Sequence, residues 1–156
     1  MMPLRKLPPT IEVPGWGVFR LHHHRFILFL NTFCYEGVWK HRGKKVSLFL
    51  HPPKWWMGRW GAFLKPVPDR LDAITSSLEA ILGKGWPVIE KELASRGIEV
   101  GGDSAAFMAR CVPSLIRIAA GLHDEVYWES EDLRHYSYLN VTLGRKLEIL
   151  RVELET

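Results

Sequence analysis

Three runs of the chain carry side chains with chemical potential. The first is His22-His23-His24. Consecutive strand residues point to opposite faces, so at most His22 and His24 share one ion, and a third ligand has to come from His41, His51 or Cys34. No spacing fixes that ligand. The triplet reads as strand histidines or as a basic patch with Arg20 and Arg25, and neither a metal nor any other cofactor is expected. The second run is acidic: His123-Asp124-Glu125, then Glu129, Glu131, Asp132 and His135. Such a cluster can hold a divalent ion for phosphodiester cleavage, and a solvated loop is the plainer reading.

The third run is basic and aromatic. Lys40, Arg42, Lys44, Lys45, Lys54, Arg59 and Lys65 interleave with Trp39, Trp55, Trp56 and Trp60. Cations beside aromatic faces suit single-stranded nucleic acid, through phosphate pairing and base stacking. They suit a protein interface as well, where tryptophan and arginine are favoured anchors. Tryptophans also fill cores. Lys54, Trp55, Trp56, Arg59 and Trp60 crowd beside Pro52, Pro53 and Gly58, in an ordered loop that cannot turn every ring inward.

Several chemistries lack their motifs. The chain has no Walker loop, Rossmann glycine fingerprint, His-Glu-x-x-His pair or Gly-x-Ser-x-Gly elbow. Residues 92–110 have the outline of a helix-turn-helix with Gly97 in the turn. The second helix would then offer Ala105, Ala106, Phe107 and Met108 where a reader of base edges needs polar side chains.

Charge divides the chain. Residues 1–66 hold 11 Lys and Arg against Glu12 and Glu36, a net of +9, while residues 67–156 hold 10 against 15 Asp and Glu, a net of −5. Either the basic part has an acidic partner or the two parts attract each other within one fold.

The elements that must position these residues follow from periodicity. Residues 1–15 contain four prolines and read as an extended arm, with residues 16–156 as a single domain. Val18–His22, Phe26–Phe33 and Val46–Leu50 read as strands of an antiparallel meander, with a turn at His23–Arg25 and a further short strand at Val38–His41. A helix is expected from Pro68 to Gly83 and a shorter one from Pro87 to Gly97. Residues 103–123 are apolar around most of a helical circumference and read as a central buried helix, kinked at Pro113. Arg110, Ser114 and Arg117 would form its polar seam, and the arginines need acidic or carbonyl partners. Val126–Glu129 reads as a short strand, and Tyr136–Leu143 with Lys146–Glu153 makes a C-terminal hairpin bulged near Leu150.

The expected fold is therefore α+β: an antiparallel sheet, N-terminal meander plus C-terminal hairpin, packed against about three helices. Cys34 and Cys111 read as buried reduced thiols rather than a disulfide framework, and no secretory or membrane-spanning run is visible, which suits the cytoplasm. The expected function is binding without catalysis, of the inhibitor, immunity or adaptor kind, on an acidic protein surface. A single-stranded nucleic-acid binder and a metal-dependent phosphodiesterase are the alternatives.

Overall fold

The computed structural model describes residues 7–27, 30–53, 59–100, 104–121 and 123–156, and for 23–27 and 30–32 the backbone alone. Eight strands form one sheet in sequence order: β1 Thr10–Val13, β2 Gly17–Ile27, β3 Leu30–His41, β4 Lys44–His51, β5 Val112–Ala119, β6 Asp124–Glu129, β7 Tyr138–Leu143 and β8 Ile149–Glu155. Four helices lie between β4 and β5 in the chain: α1 Trp60–Leu64, α2 Val67–Thr75, α3 Leu78–Ser95 and α4 Ser104–Arg110. The chain thus runs as a four-stranded meander, a helical crossover and a second four-stranded meander. β4 and β5 pair in parallel and every other neighbour antiparallel. A parallel pair needs a long crossover connection, which the helices provide.

The α+β class holds, with corrections in its parts. The sheet is mixed, and its C-terminal portion is a meander of four strands where a hairpin was expected. The largest correction concerns residues 103–123. Only Ser104–Arg110 is helical; Val112–Ala119 is strand β5, in the interior of the sheet. Val112, Ile116 and Ile118 are β-branched, which favours a pleated surface, and Pro113 resists helix continuation. Ile116 and Ile118 are fully buried while Leu115 and Arg117 are half-exposed, a period of two. An apolar run this dense satisfies the strand and helix patterns alike, and its neighbours decide.

Smaller corrections follow the same logic. His23–Arg25 lies within β2 and makes no turn; Phe26–Phe33 is divided between β2 and β3, with Ile27 paired to Leu30. The expected first helix breaks earlier, at Ser76-Ser77, where the Thr75 and Ser76 hydroxyls donate to the carbonyls of Leu71 and Asp72 at 2.7 Å each. Such side chains compete with the helical ladder. The next helix, α3, then runs through Gly83 and Pro87, both on its exposed side, where water can satisfy the carbonyl that proline leaves unbonded. Within the expected loop after β4, Trp60–Leu64 is a helical turn. The described part of the proline-rich arm lies along the sheet as β1, and the Pro8 carbonyl accepts from the Tyr35 hydroxyl at 2.7 Å. The bulge near Leu150 is present: Thr142 pairs with Arg151 and Leu143 with Ile149, which leaves Leu150 unopposed.

The core lies between the helices and one face of the sheet. Val46, Leu48 and Leu50 of β4, Ile116 and Ile118 of β5, and Val126 and Trp128 of β6 meet Leu71 and Ile74 of α2 and Ile81, Ile89 and Leu93 of α3 in one cluster. Each such side chain contributes roughly 1.5–3 kcal/mol by leaving water. Gly37 of β3 belongs to this face for steric reasons. A methyl group there would stand 2.7 Å from the Phe19 ring, which is fully buried and has nowhere to move. Among the described residues no helix covers the other face of the sheet, and no helix is long and apolar enough to cross a membrane. Cys34 and Cys111 are not joined in a disulfide; the first is buried and the second half-buried.

Candidate binding surface

The tip of the β3–β4 hairpin is built from Lys40 to Lys45. His41 pairs with Lys44, so the loop is the two residues Arg42-Gly43, both at positive φ, 51° and 78°. That is the turn whose twist matches a hairpin, and it favours Asn-Gly or Gly-Gly. Arginine in the first position stands in the left-handed region at a cost of roughly 1–2 kcal/mol. One pair beside the turn is also unfavourable: Lys40 lies directly opposite Lys45, where like charges repel. His41 lies opposite Lys44. Arg42 reaches Glu79 at the start of α3 with an Nη2–Oε1 distance of 2.5 Å, but both side chains are largely exposed, so this pair holds little energy. Lys40, Lys44 and Lys45 make no ion pair among the described residues and are exposed. Val18 and Val38, 55% and 50% exposed, occupy the same helix-free face as Lys40.

The basic-aromatic residues do not form one patch. Trp39 turns to the helix side, edge-on to Trp16 at 6.2 Å and beside His41 at 5.0 Å. Arg59 and Trp60 lie beyond the far end of β4, roughly 23 Å from the tip along an eight-residue strand. Trp60 stacks on Phe33 at 5.7 Å and donates its Nε1–H to the Pro53 carbonyl at 2.8 Å, so it packs the domain. Lys54, Trp55 and Trp56 lie outside the described residues. Lys65 is exposed after α1.

The expected seam of Arg110, Ser114 and Arg117 dissolves with the helix that was to carry it. Its members still find partners: Arg110 bonds Asp132 at 2.7 Å and Ser114 bonds Glu129 at 3.1 Å. Arg117 stands on the helix-free face at the centre of the sheet. Its Nη1 donates to Glu125 Oε2 and to the Tyr127 hydroxyl, both at 3.1 Å, and the Tyr127 hydroxyl donates to the same carboxylate at 3.0 Å. Burial pushes the Tyr127 phenol up to about 12. His51 stands on the adjoining strand, two register positions further on and on the same face. Burial, reinforced by the positive charge of Arg117 and opposed by Glu125, pushes its imidazole down to about 4. His51 Nε2, Arg117 Nε and Asn140 Oδ1 are shielded from solvent and have no hydrogen-bond partner among the described residues.

The sequence reading missed this polar row because it placed Arg117 on a helix. The parity of Glu125 and Tyr127, with Asn140 and Thr142 on the next strand, was the available signal.

Four carboxylates of the acidic run, Asp124, Glu125, Glu129 and Asp132, are paired. Asp124 takes a bidentate contact from Arg70 of α2, although burial still raises its carboxyl above the ordinary value. Glu125, Glu129 and Asp132 have the partners named above. His22 Nδ1 lies 2.7 Å from Glu36. Among the described residues no three His, Cys, Asp or Glu side chains are gathered as for a metal ion.

The fold and surface thus define an α+β protein with a mixed eight-stranded sheet, helices on one face and a basic hairpin tip. Comparison with family models, curated proteins and solved structures finds no match.

Proposed function

We propose that the protein works by binding, without catalysis, and docks on an acidic protein surface through the tip of the β3–β4 hairpin. One observation carries the reading. Two local choices at this tip each disfavour folding, and both concentrate positive charge: arginine at a left-handed turn position and lysine opposite lysine. Unfavourable features kept at one exposed place suggest a role outside the fold. An acidic partner relieves the repulsion, and the charge speeds its encounter. The exposed Val18 and Val38 supply apolar surface on the same face.

A protein partner fits better than single-stranded nucleic acid. Stacking with phosphate pairing needs rings and cations on one surface. Here alternation sends Trp39 to the helix side and Lys40 to the other. The test is a titration of a fluorescent Glu-rich 20-residue peptide and a 20-nucleotide oligo-dT, at 50 and 300 mM salt, with the wild type and a Lys40→Glu/Lys45→Glu variant. The peptide should bind the wild type, weaken with salt and lose at least about tenfold in the variant, since each 1.4 kcal/mol is tenfold. Equal binding by the variant removes the tip from the site. Tight oligo-dT binding with tryptophan quenching favours the nucleic-acid reading.

A further inference from the structure

Beside the basic tip, on the helix side, lies a cleft of about 290 Å³. Its apolar walls come from Leu78 and Leu82 of α3, Met108 of α4, Pro113 of β5 and Trp128 of β6. Ala105 and Ala109, one turn apart on α4, line it as well. Residues four apart share a helix face, so two small side chains stack there and leave the space open. His41 and Arg42 of the tip and Glu79 form the polar part of the lining. The volume is just below the ordinary range for small-molecule pockets, and it matches one large side chain.

We propose that this cleft takes the apolar anchor of the partner that the tip attracts: one large aromatic or aliphatic side chain flanked by carboxylates. The proposal rests on the reading of the tip as a docking surface. Charge complementarity mainly sets the encounter rate and excludes wrong partners; affinity comes from a few anchors desolvated in well-packed pockets. The tip offers charge with no hole in its own structure, and the cleft offers a hole whose lining includes two tip residues. Arg42 spends one guanidinium nitrogen on Glu79, and its other donors remain for a carboxylate next to the anchor. Arg42 of the lining and Lys44, which pairs with His41 on the helix side, would repel a basic partner.

The probes are two acidic heptapeptides, Asp-Glu-Asp-Trp-Glu-Asp-Glu and the same peptide with alanine in place of tryptophan, titrated by fluorescence anisotropy at 50 mM salt. The tryptophan peptide should bind the wild type about tenfold tighter than the alanine peptide, as for one anchoring residue. Ala105→Trp, at an exposed position, fills the cleft and should erase that ratio while leaving the alanine peptide unaffected. Ala109→Trp serves if the first variant does not fold. Lys40→Glu/Lys45→Glu should weaken both peptides and preserve the ratio. Equal binding of the two peptides to the wild type, or a ratio that survives filling, overturns the cleft and leaves the tip reading intact. A ratio erased by filling, with the affinities of both peptides unchanged by charge reversal, supports the cleft and removes the tip. No binding of either peptide overturns both.

Discussion

His51 and Arg117 stand two register positions apart on neighbouring strands, on the same face of the sheet, and their surroundings differ. Arg117 donates to Glu125 and to the Tyr127 hydroxyl, both at 3.1 Å. His51 stays neutral because burial and the nearby guanidinium both disfavour a second cation. A proton titration of the His51 ring by NMR should therefore show a midpoint near 4. The folded value lies below the unfolded value of 6.5, so the unfolded chain binds the proton more readily. This residue's contribution to stability is complete above pH 6.5 and erodes as the pH falls towards 4. Thermal melts from pH 7 to 4 should lose less in a His51→Leu variant than in the wild type. A midpoint near 6.5 would mean that the ring reaches solvent. At the same scale, burial pushes the Cys111 thiol up to about 12, so this cysteine is no nucleophile at neutral pH.

Strand β5 is the element on which the architecture turns, and substitutions can verify its alternation. On a buried helix Leu115 and Ile116 would both be inside. On β5, Ile116 is fully buried against the helices and Leu115 is half-exposed on the other face. Ile116→Ala should cost about 2–5 kcal/mol, the range for large-to-small core changes. Leu115→Ala should cost clearly less. Chemical denaturation of the two variants measures the difference, and equal losses would contradict the strand.

The molecule is held together at the parallel seam between β4 and β5, which pairs Ser47 with Leu115 across the whole helical crossover. One apolar cluster spans both meanders and the helices. Opening the middle of such a sheet requires global unfolding, whereas edges can fray. Amide hydrogen exchange should be slowest in β4 and β5 and faster in β1 and β8, the two edge strands. Slow exchange confined to one meander would show that the halves unfold separately. The seam also joins the basic part of the chain, residues 1–66, to the acidic part, and among the described residues Arg42 and Glu79 form an ion pair across that division.

Local rules carried the reading wherever one residue type settles the backbone or one face is polar. Val46, Leu48 and Leu50 alternate with Ser47 and His51 and announce β4; Gly43 marks the hairpin turn; the parity conflict in residues 147–154 required the bulge at Leu150. The need of buried arginines for acidic partners was likewise legible, though not which carboxylates would supply them. The tertiary structure decided the rest. Residues 112–119 are so apolar that helical and strand periods fit equally, and only hydrogen-bonded neighbours, β4 on one side and β6 on the other, select the strand. The same pairing sets which face Arg117 occupies. Lys40, Trp39 and Trp60 are close in sequence, yet pleat and strand length send them to two faces and two ends, because side-chain direction alternates with every residue and each residue adds about 3.3 Å. The cleft has no sequence signature at all, since its walls come from two helices, two strands and a hairpin tip that meet only when the sheet is complete.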